Sequence, residues 1–140
     1  MDKALNYMAL ARKAGRIELG EEPVGAAARA QHARLIVVAQ DASGHSWRRA
    51  LSFVAGTDQK CIRVPYTKDQ FGQAIGRTSL AMAAFTDPAL ALAFVKALPQ
   101  TELLAEVAES LAKRASRIQQ RQTEAKAHKR NKATGKRKKN

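Results

Sequence analysis

Along the first hundred residues the apolar positions switch repeatedly between helical and extended spacing. Asp2 is placed to accept a first-turn N–H, Leu5, Met8, Ala9 and Ala11 recur at threes and fours, and Gly15 follows as a stop. A first helix is therefore expected from residue 2 to about 15. Pro23, whose fixed φ suits a first turn, leads into Val24, Ala26, Ala27, Ala28 and Ala30, which predict a second helix. The period then changes. Leu35, Ile36, Val37, Val38 and Ala39 form a short continuous run, the pattern of a strand covered by helices on both faces.

Ser43 and Gly44 open a third helix that carries Trp47, Ala50, Leu51, Phe53 and Val54 and breaks at Gly56. Cys61 to Val64 reads as a second strand, ended by Pro65. Thr67 with Gln70 three residues on is a capping box, so the next helix should begin there, turn Phe71, Ala74 and Ile75 inward and stop at Gly76. Leu80, Met82, Ala84 and Phe85 suggest a third strand, and Asp87 with Pro88 starts a helix through Leu90, Leu92, Phe94, Val95 and Leu98. Helices interleaved with short apolar strands imply an α/β fold, a single small domain over residues 1–99 with helices on both faces of its sheet. From Thr101, Leu104, Val107, Leu111 and Ile118 recur at threes, fours and sevens, which predicts a further helix over about 100–125. That stripe suits docking on the domain, pairing with a partner, or projection into solvent until RNA orders it.

Charge divides the chain unevenly. Residues 1–99 hold 13 basic and 8 acidic side chains, whereas residues 100–140 hold 12 and 4, so most of the net +13 belongs to the C-terminal part. Lys126, Lys129, Arg130, Lys132, Lys136, Arg137, Lys138 and Lys139 have no acidic neighbour from residue 126 onward. A block of this kind has little apolar surface to bury, so residues 126–140 are expected to form a disordered basic tail that displaces counterions from phosphates. It contains no Trp, Phe or Leu to insert, which ranks a membrane surface well below nucleic acid. No apolar run approaches a bilayer span, the opening segment lacks a signal-peptide core, and a lone Cys61 excludes an internal disulfide. A cytoplasmic protein is expected.

Candidate chemistry is sparse. Asp41, Ser43 and His45 alternate within one turn and point apart, which suits capping better than a nucleophilic relay. His32, His45, His128 and Cys61 match no metal spacing, and neither a Walker loop nor a dinucleotide fingerprint is present. No catalytic residue, metal or cofactor is expected. Binding has more material. Gly20 precedes a helix N-terminus, where unpaired N–H groups suit phosphate, although Glu21 and Glu22 would repel it. Arg77, Thr78 and Ser79 offer one charge and two hydroxyls in a loop, and Trp47 beside Arg48 and Arg49 is either a core residue or a platform for an unpaired base.

Five ordered segments carry a resemblance: Leu10-Ala11-Arg12-Lys13-Ala14-Gly15, Leu19-Gly20-Glu21-Glu22, Leu35 through Ser43, Phe71-Gly72-Gln73-Ala74-Ile75-Gly76-Arg77, and Ala84-Phe85-Thr86-Asp87. Together, over about residues 3 to 98, they resemble the bacterial YlxQ-like proteins of the kink-turn-binding ribosomal protein superfamily, which includes archaeal large-subunit proteins seven-Ae and thirty-e. The resemblance implies a three-layer α/β/α sandwich that binds RNA through its second helix and two neighbouring loops. Carried over residue by residue, it points to Gly20, Glu21 and Glu22 at that helix, Asp41, Ser43 and Trp47 after the first predicted strand, and Arg77 with Ser79 in the second loop. This chain departs from the pattern at Glu22, Pro23 and Ala26, which replace the family's Asn, Glu and Lys and so remove a phosphate contact and base contacts.

The expectation is a non-catalytic, monomeric RNA-binding protein whose partner is structured RNA, ribosomal RNA foremost, with the tail adding phosphate contacts. Two alternatives compete with it. One is an RNA-recognition accessory acting in trans with an RNA methyltransferase, and the other is a nucleoid-like DNA binder.

Overall fold

The computed structural model describes residues 2–99 and 102–138, and the side chains of 2–99 and 104–122. In chain order the elements are α1 (Lys3–Lys13), β1 (Ile17–Leu19), α2 (Glu21–Arg29), β2 (Leu35–Ala39), α3 (Gly44–Val54), β3 (Cys61–Val64), α4 (Lys68–Ile75), β4 (Met82–Phe85), α5 (Pro88–Lys96) and α6 (Glu102–Lys138).

The predicted stops and starts lie where local chemistry put them. Asp2 accepts from the Ala4 N–H at 2.8 Å and begins α1. Thr67 and Gln70 close the capping box of α4 in both directions, and Gly76 ends that helix at φ +76°, a left-handed conformation that suits glycine. Asp87 caps α5 ahead of Pro88.

The four strands form one sheet in the order β1-β4-β2-β3. β4 runs antiparallel to both β1 and β2, while β2 and β3 are parallel. The two central strands, β2 and β4, are buried along their whole length. The edge strands alternate, with Glu18 and Arg63 turned to solvent. Burial thus follows position in the sheet: central strands are covered on both faces and edge strands are half-wet. β1 was not anticipated, because three residues complete only one alternation.

Helices α1, α4 and α5 pack together on one face of the sheet and α2 and α3 on the other, a three-layer α/β/α arrangement. Phe71, Phe85 and Phe94 are fully enclosed, and the last two rings meet at 5.1 Å between centroids, tilted by 44°. Cys61 is packed against the same core, where burial pushes its thiol up to about 12, as expected of a small core residue.

The tertiary structure settles what the stripe on α6 does. Its first turns lie against α5, with Val107 and Leu111 buried at 3% and 1% exposure and Leu104 and Ala108 partly so. The helix then continues to Lys138, past the boundary expected near residue 125. Residues 126 to 134 are mostly Ala, Lys and Arg, which hold helical backbone readily, so the helix beyond that boundary has a local cause. Lys139 and Asn140 lie outside the described residues, as do the side chains of the other tail cations. Among the described residues no helix is long and apolar enough to cross a membrane.

Candidate nucleic-acid interface

The sheet topology gathers three separated sequence segments at one end of the domain. β1, β2 and β3 finish at that end and β4 begins there, as the register shows. Backbone hydrogen bonds knit the exits together. Gly20 N–H donates to Met82 O at 3.0 Å, Ala39 N–H to Ala81 O at 2.9 Å, and Gln40 N–H to Tyr66 O at 2.8 Å. Leu80 N–H donates to Lys68 O at 3.0 Å and anchors the end of the Arg77–Ser79 loop. Gly20, Asp41 and Ser79 therefore leave neighbouring strands, which stand about 4.8 Å apart.

Gly20 is the N-cap of α2 at φ +94°, a conformation that a side chain would strain. Glu21, in the first helical turn, accepts from Arg49 Nε on α3 at 2.6 Å, while Glu22 faces solvent. Both partners of that pair are more than a third exposed, so it adds little stability, but it cancels the charge that would oppose a phosphate at the helix start. Arg49 also lies 5.0 Å from the centre of the Phe53 ring, which fixes the guanidinium between the two helices.

Asp41 has a structural duty. Its carboxylate accepts from the Lys68 N–H at 2.8 Å, capping α4 from the loop after β2. Ser43 caps α3 by accepting from Ser46 N–H at 3.1 Å. The two side chains that sat closest to a catalytic pattern thus hold two helix starts, and His45 is exposed. Trp47 is half-buried, packed on the core by one part and carrying the Arg63 guanidinium 4.8 Å from its ring centre. A base stacking there would share the indole with Arg63 or displace it.

Arg77, Thr78 and Ser79 are all exposed. Their backbone crosses directly over Gly72 of α4: a Cβ at Gly72 would lie 2.6 Å from Ser79 N and 2.7 Å from Arg77 O. The loop's position is set by the absence of one methyl group. Arg48 folds over Gly44 in a similar way, its guanidinium 3.1 Å from where a Cβ would stand.

The structure brings together Gly20 to Glu22, Asp41 to Trp47 and Arg77 to Ser79 at one end of the sheet. It also adds Arg49, Arg63 and Lys68 to the same end. Reading along the sequence placed Arg49 only beside Trp47 and missed Arg63 and Lys68, because the partners of the three lie 28, 16 and 27 positions away. The side chains of the tail cations lie outside the described residues. The resulting surface is of mixed charge, with Arg48, Arg63 and Arg77 against Glu22 and Asp69.

No protein-family model and no curated protein matches the chain. Solved structures do. A Bacillus halodurans protein of unknown function is 22% identical at a TM-score of 0.64, the match covering 69% of this chain and 97% of that one. A 15.5 kD RNA-binding protein of Giardia lamblia is 13% identical at a TM-score of 0.55, covering 83% of this chain and 87% of that one. Similarity at these identities is similarity of fold, and the α/β/α domain described above is the fold that these proteins share.

Proposed function

We propose that the protein is a non-catalytic RNA-binding protein that docks structured RNA, ribosomal RNA or a kink-turn, on the end of the sheet formed by Gly20 to Glu22, Asp41 to Trp47 and Arg77 to Ser79. The observation that carries this reading is their convergence: three segments spread over sixty residues of sequence leave adjacent strand ends. The Giardia protein that shares the fold binds RNA, and the five ordered motifs resemble YlxQ-like kink-turn binders, which supports the same reading. Within it, Arg77 and the Ser79 hydroxyl supply directional contacts, Trp47 supplies a stacking surface, and the C-terminal cations supply phosphate attraction.

Mixed charge at the loop end fits recognition of shape more than bulk attraction. Affinity then comes mainly from the positively charged α6. A competition between a structured RNA and duplex DNA of equal length at fixed salt tests the proposal. RNA should win, and Arg77→Ala should change the order of preference among RNAs. DNA winning would overturn it in favour of a nucleoid-like role.

A further inference from the structure

At the opposite end of the sheet from those loops, Arg34 enters β2. Its backbone N–H is held by Phe85 O at 2.8 Å, but its side-chain Nε is enclosed and has no hydrogen-bond acceptor. An enclosed guanidinium N–H without an acceptor is costly, and it favours an anion that can reach it. Burial and the nearby Arg114 and Arg121 weaken its hold on its own proton.

The rest of the surroundings increases that demand. Arg114, Arg117 and Arg121 follow one another at i, i+3 and i+7 on α6 and so share a helix face. With Arg34, Gln31 and Ile118 they line a cavity of about 260 Å³ that, among the described residues, no acidic side chain lines. Asp58 pairs with Arg114 at 3.8 Å from a position 94% exposed and is not among the residues that line the cavity. Four guanidiniums converge on one space because α6 docks by Leu104, Val107 and Leu111 and is thereby carried beneath the start of β2.

We propose that this cavity is a second nucleic-acid site, in which Arg34, Arg114, Arg117 and Arg121 grip a backbone phosphate of the RNA that the loop end selects. This rests on the RNA-binding reading above. Guanidinium forks match the oxygens of a phosphodiester two at a time, and the orphaned Nε supplies one donor of such a fork. The two sites stand at opposite ends of β2, about 20 Å apart at about 3.3 Å per residue, so one folded RNA would contact both by running along a side of the domain. The site also lies a few residues before the basic run that begins at Lys126 in the sequence.

The test uses the full chain with Arg117→Gln and Arg121→Gln together, both exposed positions outside the core. Lys3→Gln with Lys96→Gln, on α1 and α5, is the charge-matched control, and thermal melting confirms that both variants fold. The arginine pair should weaken binding of a structured RNA by about tenfold and lower the slope of log Kd against log salt by about 1.4, roughly 0.7 per lost single-strand phosphate contact. The control should change affinity less than about twofold. In the unmodified protein the Arg34 Nε–Hε resonance should shift on adding RNA and much less with inorganic phosphate or polyglutamate at equal charge. Equal losses in both variants, or a resonance that answers polyglutamate and not RNA, would overturn the second site. If Arg77→Glu abolishes binding while the arginine pair behaves as the control, the cavity falls and the loop site stands. An unmodified chain that binds no RNA removes both.

Discussion

Single residues carry duties here that their neighbours in sequence do not announce. Gln59 is 4% exposed; its side-chain carbonyl accepts from Ala33 N–H at 3.0 Å and its amide donates to Ala28 O at 3.1 Å, tying the end of α2 to the start of β2. Gln59→Leu leaves the Ala33 N–H buried and unpaired, while Ala28 O keeps the Gln31 N–H, so chemical denaturation should show a loss of about 1–3 kcal/mol. Gln31 sits at φ +62°, just past the α2 C-cap Ala30, where its N–H bonds Ala28 O and the next N–H bonds Ala27 O. Glycine relieves that conformation at some entropic cost in the unfolded chain, and Gln31→Gly should stabilise the fold by about 0.5–1 kcal/mol. Asp2 accepts from the Tyr66 hydroxyl at 2.7 Å as well as from Ala4. The Tyr66 bond first, then the Ala4 bond, hold its carboxyl below the usual range. A depressed acid contributes stability above its unfolded pKa and loses it as pH falls through the folded value. Asp2→Asn should therefore lower stability at neutral pH, where the ionised carboxyl contributes, and converge with the parent chain as pH falls below about 4, which flattens the acid side of the profile.

At the scale of elements, two contacts decide the shape of the surface. The Arg77–Ser79 loop rests on Gly72, with backbone atoms 2.6–2.7 Å from a would-be Cβ, so Gly72→Ala must move the loop or α4. The expected cost is about 1–3 kcal/mol, together with an altered RNA preference at near-unchanged salt dependence, measured by denaturation and by titration. The docking of α6 depends on Val107 and Leu111 against α5. Leu111→Ala should cost about 2–4 kcal/mol and separate α6 from the domain, seen as faster amide exchange on α5. A helix whose stripe is narrow and whose other faces are charged holds on by few residues, so each of them weighs heavily.

For the whole molecule, charge and fold are separable. Removing residues 126–140 takes away eight cations and none of the described core, so the α/β/α domain should melt at nearly the same temperature while RNA binding weakens and its salt dependence flattens. Identical binding by the truncated and full chains at low and high salt would refute a role for this segment. Much of this architecture was determined by the sequence alone. The caps at Asp2, Ser43, Thr67 and Asp87, the stops at Gly15 and Gly76, and the continuous apolar runs of the two central strands act over a few residues, and their physics is local. The segregated charge is equally a property of the chain. The tertiary structure decided what depends on distant partners: that β1 pairs with β4, that Asp41 caps α4, that Arg49 answers Glu21, that Gly72 seats the Arg77 loop, and that α6 lies on α5 and brings three arginines to Arg34. These contacts join residues far apart in sequence through the order of the strands, and that order is fixed by packing the whole core at once.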